Sequence, residues 1–251
     1  MQPTLLPTIH KLSVIIPCYN EEFYVEKVLR RVMEVNLDYN LQKEIIIVND
    51  GSVDATPVKI EQFILRFPGA GIKFLGHEIN KGKGSSIKTA LKAVTGQLVV
   101  IQDADLEYNP QDFNLLLKPI IEGDADVVLG SRFRGDGPHR GPFILHALVN
   151  KIYTFISNKL TRQNLSDIHT CYKMFKTDIL KRFTIQEPRF GFDPEMIAKL
   201  GHQKHIKIRE VGISYQGRSF AEGKKINFTD GFRAFYCIIK YNLFTRKKNN
   251  H

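Results

Sequence analysis

Two aspartates separated by one residue are the clearest chemical signal in the chain. Asp103 and Asp105 directly follow the hydrophobic run Leu98–Ile101. Carboxylates at this spacing reach one hard cation if the backbone turns between them, and Mg²⁺ or Mn²⁺ commonly joins such carboxylates to substrate phosphates. The pair alone is also typical of a solvated acidic turn. Its place after a predicted strand, in a basic chain, favours a metal site, and Glu107 either supplies a third oxygen ligand or faces solvent.

Two further carboxylates follow predicted strands. Glu21 follows the first strand and Asp50 follows the second. Open parallel sheets bind their ligands in the crevice outside the carboxyl ends of the strands. One carboxylate at such a position is often only a helix cap, which is our interpretation of Asp54. Several together predict a ligand site at this edge of the sheet.

Basic, glycine-containing segments provide counter-charge for phosphate. Asn80–Ser86 combines glycines, lysines and hydroxyls before a predicted helix, where free backbone N–H groups favour anions, although solvated loop lysines would give the same pattern. Arg132 follows a later strand, and Arg218, Lys224 and Lys225 occupy a polar stretch. We expect this stretch to close over a diphosphate and stabilise it as a leaving group.

The elements that must position these groups alternate between strands and helices. Short β-branched runs separated by helical patterns predict an α/β fold with a mostly parallel sheet. The predicted strands are Leu12–Ile16, Glu44–Val48, Ile72–Leu75, Leu98–Ile101, Asp126–Leu129 and Lys207–Ile213. The predicted helices run from about Asn20 to Val35, from Asp54 to about Phe67, through Ala93 after the lysine loop, from Asn109-Pro110, over Phe143–Leu160 and over Asn227–Phe244. No linker or repeat interrupts this pattern.

The last two of these helices have unusual polarity. His146, Asn150 and Thr154 lie four residues apart and therefore share one face of their helix, either as satisfied, partly buried groups or as a polar seam beside a pocket. The terminal helix places aromatic residues at helical spacing before a basic tail. That pattern is typical of a core-packing helix, and also of an interfacial helix whose aromatic residues enter a lipid headgroup layer.

Composition limits the class of protein and its partners. The chain has 251 residues, of which 43% are hydrophobic, and a net charge of +10, which favours anionic partners. Its three cysteines are widely spaced, which argues against a disulfide framework and for a reducing compartment. No secretory leader pattern and no apolar stretch long enough to span a bilayer are present. These features predict a cytoplasmic protein, soluble or peripheral at the inner face of the membrane.

Eight segments, taken in order, resemble the family 2 glycosyltransferases of GT-A fold, and among them the dolichol-phosphate mannose synthase-like and polyprenyl-phosphate glycosyltransferases. The resemblance extends from about Leu12 to Tyr241. The segments are SVIIPCYNEE, IIIVNDGSVDAT, NKGKGSSIKTAL, IQDADLEYNP, VVLGSRF, DIHTCYKMF, FGFDPEM and the Arg/Gly/Lys stretch before NFTDGFRAF.

The resemblance implies a single GT-A domain over residues 1–251, with a Rossmann-like sheet and C-terminal acceptor-side helices. Residues 1–130 would bind the nucleotide sugar and residues 131–251 the acceptor. Asp103 and Asp105 match the DxD pair that secures a divalent metal, with Glu107 where a Gln is common. The implied nucleotide-sugar site consists of Pro17, Tyr19, Glu21, Asp50, Asn80, Lys83, Asp103, Arg218, Lys224 and Lys225.

The implied acceptor site departs from the family pattern. Arg132 matches an arginine that receives the acceptor phosphate. His146 and Asn150 stand where relatives have an Arg and a Ser, and imidazole plus amide is a weaker phosphate clamp. His169 also replaces a different polar residue.

We therefore predict an inverting, metal-dependent enzyme that moves glucose or mannose from a UDP or GDP sugar to a polyprenyl or dolichyl phosphate, with Asp105, Arg132 and Arg218 as catalytic groups. One alternative is transfer to a saccharide hydroxyl, for which Asp193 or Glu195 would act as the base. Another is a nucleotide-sugar-binding module without catalysis. Nucleic-acid binding is not expected, because the basic residues cluster with carboxylates and no nucleic-acid motif is present.

Overall fold

The computed structural model describes residues 9–135, 139–140, 144–218 and 228–244. A seven-stranded sheet in the order β3-β2-β1-β4-β7-β5-β8 forms the centre, and β6 pairs with β9 beside it. The strands are β1 (Lys11–Cys18), β2 (Gln42–Asp50), β3 (Ile72–His77), β4 (Leu98–Ile101), β5 (Val127–Ser131), β6 (His139–Arg140), β7 (Lys173–Lys176), β8 (Ile208–Gly212) and β9 (Tyr215–Gln216). The helices are α1 (Val25–Glu34), α2 (Thr56–Arg66), α3 (Lys83–Ala90), α4 (Phe113–Ile121), α5 (Ile144–Thr161), α6 (Thr177–Lys181), α7 (Phe192–Gly201) and α8 (Phe228–Ile239).

The predicted mostly parallel sheet flanked by helices is confirmed. The apolar residues of its strands are buried in the central core, and Leu12, Ile15, Ile46 and Val99 are fully excluded from solvent. Continuous apolar strands of this kind are expected where both faces of a parallel sheet are covered. The carboxyl ends of β1, β2 and β4 consequently meet at one edge of the sheet.

One strand runs against the others. β7 pairs antiparallel with both β4 and β5. Because β7 is reversed, the residues that precede it, His169–Tyr172, lie at the edge where the parallel strands end. The short segment KMFK was not predicted as a strand, since its two lysines conceal the fact that three of its residues are buried.

Several element boundaries differ from the sequence predictions. The first helix starts at Val25 and not near Asn20, because Asn20 has a left-handed backbone with φ 51°. Asp54 precedes α2 instead of capping it at Ncap, although its Oδ1 accepts the N–H of Thr56 at 3.0 Å. The third helix ends at Ala90, and α8 ends at Ile239 before a π-helical turn, Lys240–Phe244. Within the described residues, no helix is both long enough and apolar enough to cross a membrane.

A buried carboxylate joins the amino ends of the central strands. Glu44 accepts hydrogen bonds from the Ser13 hydroxyl at 2.5 Å and from the Thr95 N–H at 2.7 Å, and Lys73 Nζ lies 3.1 Å away. Burial alone would raise the pKa of Glu44, but these hydrogen bonds outweigh it and lower the pKa to about 2. The ionised side chain therefore stabilises the folded state.

We expect the Glu44→Gln variant to lose about 2–3 kcal/mol of unfolding free energy at pH 7, as follows from the depressed pKa. A carboxylate with a lowered pKa stabilises above its unfolded-state pKa of about 4.3 and loses that effect as the pH falls toward 2. The difference between wild type and variant should thus shrink by roughly half between pH 7 and pH 3. Urea denaturation followed by circular dichroism measures it. The exposed Glu61→Gln change in α2 is the control, and a difference independent of pH would contradict this role.

Candidate active site

One cavity opens at the carboxyl edge of the sheet, with a volume of about 1060 Å³. The residues predicted for the nucleotide-sugar, metal and acceptor-phosphate sites all line it where they fall within the described ranges, whereas Lys224 and Lys225 lie outside the described residues. These lining residues are Pro17, Tyr19, Glu21, Asp50, Asn80, Lys83, Asp103, Asp105, Glu107, Arg132, His146, Asn150 and Arg218. Contributions from both halves of the chain thus converge on a single space.

Asp50, at the end of β2, fixes the lysine-containing loop. Its carboxylate accepts the backbone N–H groups of Lys81 at 2.9 Å and Gly82 at 2.6 Å, and the Asn80 side-chain amide at 2.9 Å. Gly82 has φ 97°, and a Cβ there would lie 2.5 Å from the Cγ of Arg189. Only glycine fits this left-handed, crowded position. Asp50 therefore shapes the cavity wall through the loop that precedes α3.

Asp103, after β4, faces the first residue of α3. Lys83 Nζ lies 2.7 Å from its Oδ1. Burial opposes the charge on both groups, yet each stabilises the ionised form of the other. The pKa of Asp103 is consequently lowered and the pKa of Lys83 raised. The predicted nucleotide-sugar residues Lys83 and Asp103 thus form a charged pair at the floor of the cavity.

Arg218 contacts three carboxylates of the cavity. Its guanidinium lies 3.3 Å from Glu21 Oε2 and 3.1 Å from Asp105 Oδ2. Its backbone N–H donates to Glu107 Oε1 at 2.8 Å, and the Tyr215 hydroxyl donates to Glu107 Oε2 at 2.8 Å. Both Glu107 oxygens therefore help to hold the segment that carries Arg218, and the role of Glu107 as a third metal ligand stays a prediction.

The DxD pair fits a cation shared with a ligand. Burial, together with the charges of Asp103 and Glu107, raises the pKa of Asp105 to about 8, so negative charge is in excess at this point. Among the described residues no set of three His, Cys, Asp or Glu side chains is arranged to hold a metal by itself. Mg²⁺ is usually bound by one or two carboxylates, waters and substrate phosphates. Two aspartates beside a large cavity match that donor set.

The predicted acceptor-phosphate residues are paired internally. Arg132 Nε and Nη2 donate to the two oxygens of the fully buried Asp167 at 2.7 and 2.8 Å. Asn150 Nδ2 donates to the same carboxylate at 2.8 Å. This bidentate pair explains why the pKa of Asp167 is lowered despite burial. Arg132 and Asn150 thus donate hydrogen bonds to Asp167, a residue that was not predicted from the sequence. His146 lines the cavity nearby.

The same network orients His169. Because the Asn150 amide nitrogen donates to Asp167, its Oδ1 accepts from His169 Nδ1, which lies 2.9 Å away. Burial lowers the pKa of His169 to about 4, so the ring is neutral near pH 7. Its Nε2 is buried and has no hydrogen-bond partner among the described residues. The unexpected residue at this position is therefore an oriented, neutral imidazole at the cavity wall.

Only one of the two candidate bases faces the cavity. Asp193, in the first turn of α7, lines it and pairs with the buried Lys173 Nζ at 2.6 Å. Glu195 is fully buried and accepts the N–H groups of Gln186 and Glu187, each at 2.8 Å, so it stabilises the preceding loop instead. The sequence would have predicted Asp167, His169 and Lys173 at this edge only if β7 had been identified as an antiparallel strand.

Comparison with known proteins identifies the family of the chain. The glycosyl transferase family 2 model matches residues 13–184. The chain is 24% identical over 239 residues to a dodecaprenyl-phosphate galacturonate synthase of Rhizobium johnstonii, covering 95% of this chain and 68% of that protein. It is 28% identical over 217 residues to a dolichyl-phosphate beta-glucosyltransferase of Dictyostelium discoideum, covering 81% of this chain and 66% of that protein. The chain thus spans about two thirds of the length of these two relatives.

Solved structures share the fold. Glucosyl-3-phosphoglycerate synthase from Mycobacterium tuberculosis, in complex with Mn²⁺, UDP and phosphoglyceric acid, superposes with a TM-score of 0.70 at 17% identity, covering 92% of this chain and 78% of that one. Its complex with Mg²⁺ and UDP gives a TM-score of 0.69 at 17% identity, covering 93% and 79%. The expected GT-A fold is confirmed. With a family model that matches more than half of its length, the chain belongs to glycosyl transferase family 2 and is a glycosyltransferase.

Proposed function

We propose that this glycosyltransferase moves a hexose, glucose or mannose, from a UDP or GDP sugar to a polyprenyl or dolichyl phosphate at a membrane surface, with inversion and with Mg²⁺ or Mn²⁺. One observation carries the proposal: strand-end carboxylates and the cations Lys83 and Arg218 line a single cavity. The two relatives described above are named for lipid-phosphate acceptors, which supports the same acceptor class here.

On the donor side, residues 1–130 would bind the nucleotide sugar. Pro17, near the end of β1, and Tyr19, just after it, line the cavity and would contact the nucleoside. Asp103 and Asp105 would bind the metal and the diphosphate. The bound cation would supply Lewis-acid stabilisation of the departing nucleoside diphosphate. Arg218, held by Glu21 and Asp105 before donor binding, would exchange these carboxylates for phosphate oxygens and add positive charge to the leaving group.

The membrane proposal rests on the reversed polarity of α5. Its polar residues face inward, with Asn150 7% and Ser157 1% exposed, whereas Leu148 and Phe155 are 53% and 62% exposed. Apolar residues on the outer face of a helix are typical of a surface that binds another apolar phase. Lys159 Nζ lies 5.5 Å from the Phe155 ring centre, so a cation adjoins this face and would meet anionic headgroups.

α8 extends the apolar surface to the cavity. Phe232 is 68% exposed and also lines the cavity, and Tyr236, one turn further along the same helix, is 51% exposed. A lipid acceptor could therefore keep its chain in the membrane while its phosphate enters the site. The phosphate oxygen of such an acceptor is already anionic near pH 7, so displacement at the sugar needs positioning and no general base.

Transfer to a saccharide hydroxyl is the second candidate, and Asp193 is the observation that favours it. A hydroxyl acceptor must lose a proton, and Asp193 is the carboxylate of α7 that lines the cavity. Lys173 Nζ lies 2.6 Å from the Asp193 carboxylate and holds it at the cavity wall. Parallel assays with farnesyl phosphate and with soluble saccharides separate the two candidates. Donor binding without turnover on either acceptor would instead indicate a binding module.

We expect Asp103→Ala and Asp105→Ala each to lower kcat/KM for hexose transfer on the order of 10²- to 10³-fold, the loss typical of removing one group that stabilises the leaving charge. Transfer of label from UDP-glucose or GDP-mannose to farnesyl phosphate, with Mn²⁺, provides the measurement. Asp124→Ala, which removes an exposed carboxylate before β5, is the matched control. Wild-type rates in both site variants would remove the metal from this account.

We expect the double change Leu148→Ser/Phe155→Ser to weaken binding to phosphatidylcholine–phosphatidylglycerol vesicles about 10-fold or more, because two large apolar side chains no longer enter the bilayer interface. Vesicle sedimentation measures the effect. Leu65→Ser, at a side chain on α2 that is 80% exposed, is the control. Equal weakening by the control, or none by the double variant, would argue against this face as the membrane contact.

A further inference from the structure

One arginine of the cavity has no carboxylate partner among the described residues. Within the described part of the chain, Lys83, Arg132 and Arg218 line the cavity and each is paired with an aspartate or glutamate. Arg189 lines the same cavity, is exposed, and its guanidinium takes part in no ion pair or hydrogen bond to any described residue. Among the described cationic residues of this cavity, Arg189 therefore has a charge that is available for a ligand.

The backbone around Arg189 is fixed, although its guanidinium contacts no hydrogen-bonding group of the described residues. The Pro188 carbonyl accepts the Ser85 N–H at 3.0 Å, and the Arg189 carbonyl accepts the Phe192 N–H at 3.2 Å. The Arg189 side chain packs on Gly82, where an added Cβ would come within 2.5 Å of its Cγ. Two elements, α3 and α7, thus hold the residue at the cavity wall.

Arg189 shares its cavity with the apolar residues of α8. Gly231, Phe232 and Ala234 of α8 line the same cavity, and Phe232 is exposed. The segment before Arg189 is also tied to α8, because Arg233 Nη2 lies 2.8 Å from Glu187 Oε2. A phosphate bound by Arg189 would therefore occupy the same cavity as these apolar residues.

Arg132 is poorly suited to bind the acceptor phosphate by itself. Its charge is matched by Asp167, which is fully buried and held through two hydrogen bonds. Moving Arg132 to an incoming phosphate would leave Asp167 buried without its counter-ion, which typically costs several kcal/mol. A phosphate monoester therefore needs a further cation, whereas the donor diphosphate already faces Arg218 and the metal-binding aspartates.

We infer that Arg189 binds the phosphate monoester of the acceptor. This inference rests on the proposed function and names the group that receives its acceptor. A guanidinium suits the task, since it offers two parallel N–H donors to phosphate oxygens and stays charged at all physiological pH values. Arg189 thereby holds the attacking oxygen beside the sugar. Arg132 stays paired with Asp167 and lines the same cavity.

The test compares Arg189→Gln with Arg189→Lys in purified full-length protein. We expect Arg189→Gln to raise the KM for farnesyl phosphate about 10- to 100-fold, the loss typical of a charged hydrogen bond, with the KM for the sugar donor and the Kd of UDP or GDP unchanged. Arg189→Lys should fall between, because it keeps the charge and loses the fork. Arg182→Gln, an exposed arginine paired with Asp178 on α6, is the matched control. Thermal denaturation checks that each variant is folded.

Each outcome decides the inference. A raised donor KM and weaker nucleotide binding, with the acceptor KM unchanged, would assign Arg189 to the diphosphate and overturn it, as would no change in either KM. Glycerol 3-phosphate is assayed in parallel: if it accepts sugar and Arg189→Gln raises its KM equally, phosphate recognition stands and the lipid tail is unnecessary. Wild type that binds nucleotide but transfers to no phosphate acceptor refutes the proposed function, and the inference with it.

Discussion

The structure depends on pairing carboxylates with cations inside one partly buried cavity. Parallel strands deliver their ends to a common edge, so Asp103 and Asp105 lie beside Glu21 and Glu107. Such a concentration of negative charge is unfavourable in a medium that water reaches poorly, and the raised pKa of Asp105 reflects this cost. Lys83 and Arg218 offset it. A divalent cation and a diphosphate would satisfy the same groups by exchange, which suits a site that must bind and release its donor.

The second half of the chain completes the cavity by different means. The reversed strand β7 brings Asp167 and His169 to the edge that the parallel strands define, and Asp167 orients both Arg132 and Asn150. α5 supports this network from outside by turning its polar face inward. The consequence is an outward apolar face beside the cavity mouth. The inward polar network and the outward apolar face are thus two results of one helix orientation.

Much of this architecture follows from the sequence, because the signals are local. Buried parallel strands are continuous apolar runs, and the DxD pair directly follows one of them. The ion-pair partners of the site residues could not be predicted in the same way. The pairing of Arg132 with Asp167 joins residues 35 positions apart, and that of Arg218 with Glu21 joins residues 197 apart. Both depend on β7 and β9, short strands whose composition is too mixed to predict. The contacts of Glu107 could not be predicted for the same reason, since Tyr215 and Arg218 reach it only in the folded chain.

The most direct test of the central claim is a crystal structure of the protein grown with UDP or GDP and Mn²⁺, with diffraction recorded at the manganese absorption edge. We expect an anomalous peak between the carboxylates of Asp103 and Asp105 and the diphosphate, with Arg218 moved from Asp105 onto a phosphate oxygen. Nucleotide bound in another part of the molecule, or manganese bound away from both aspartates, would contradict the account.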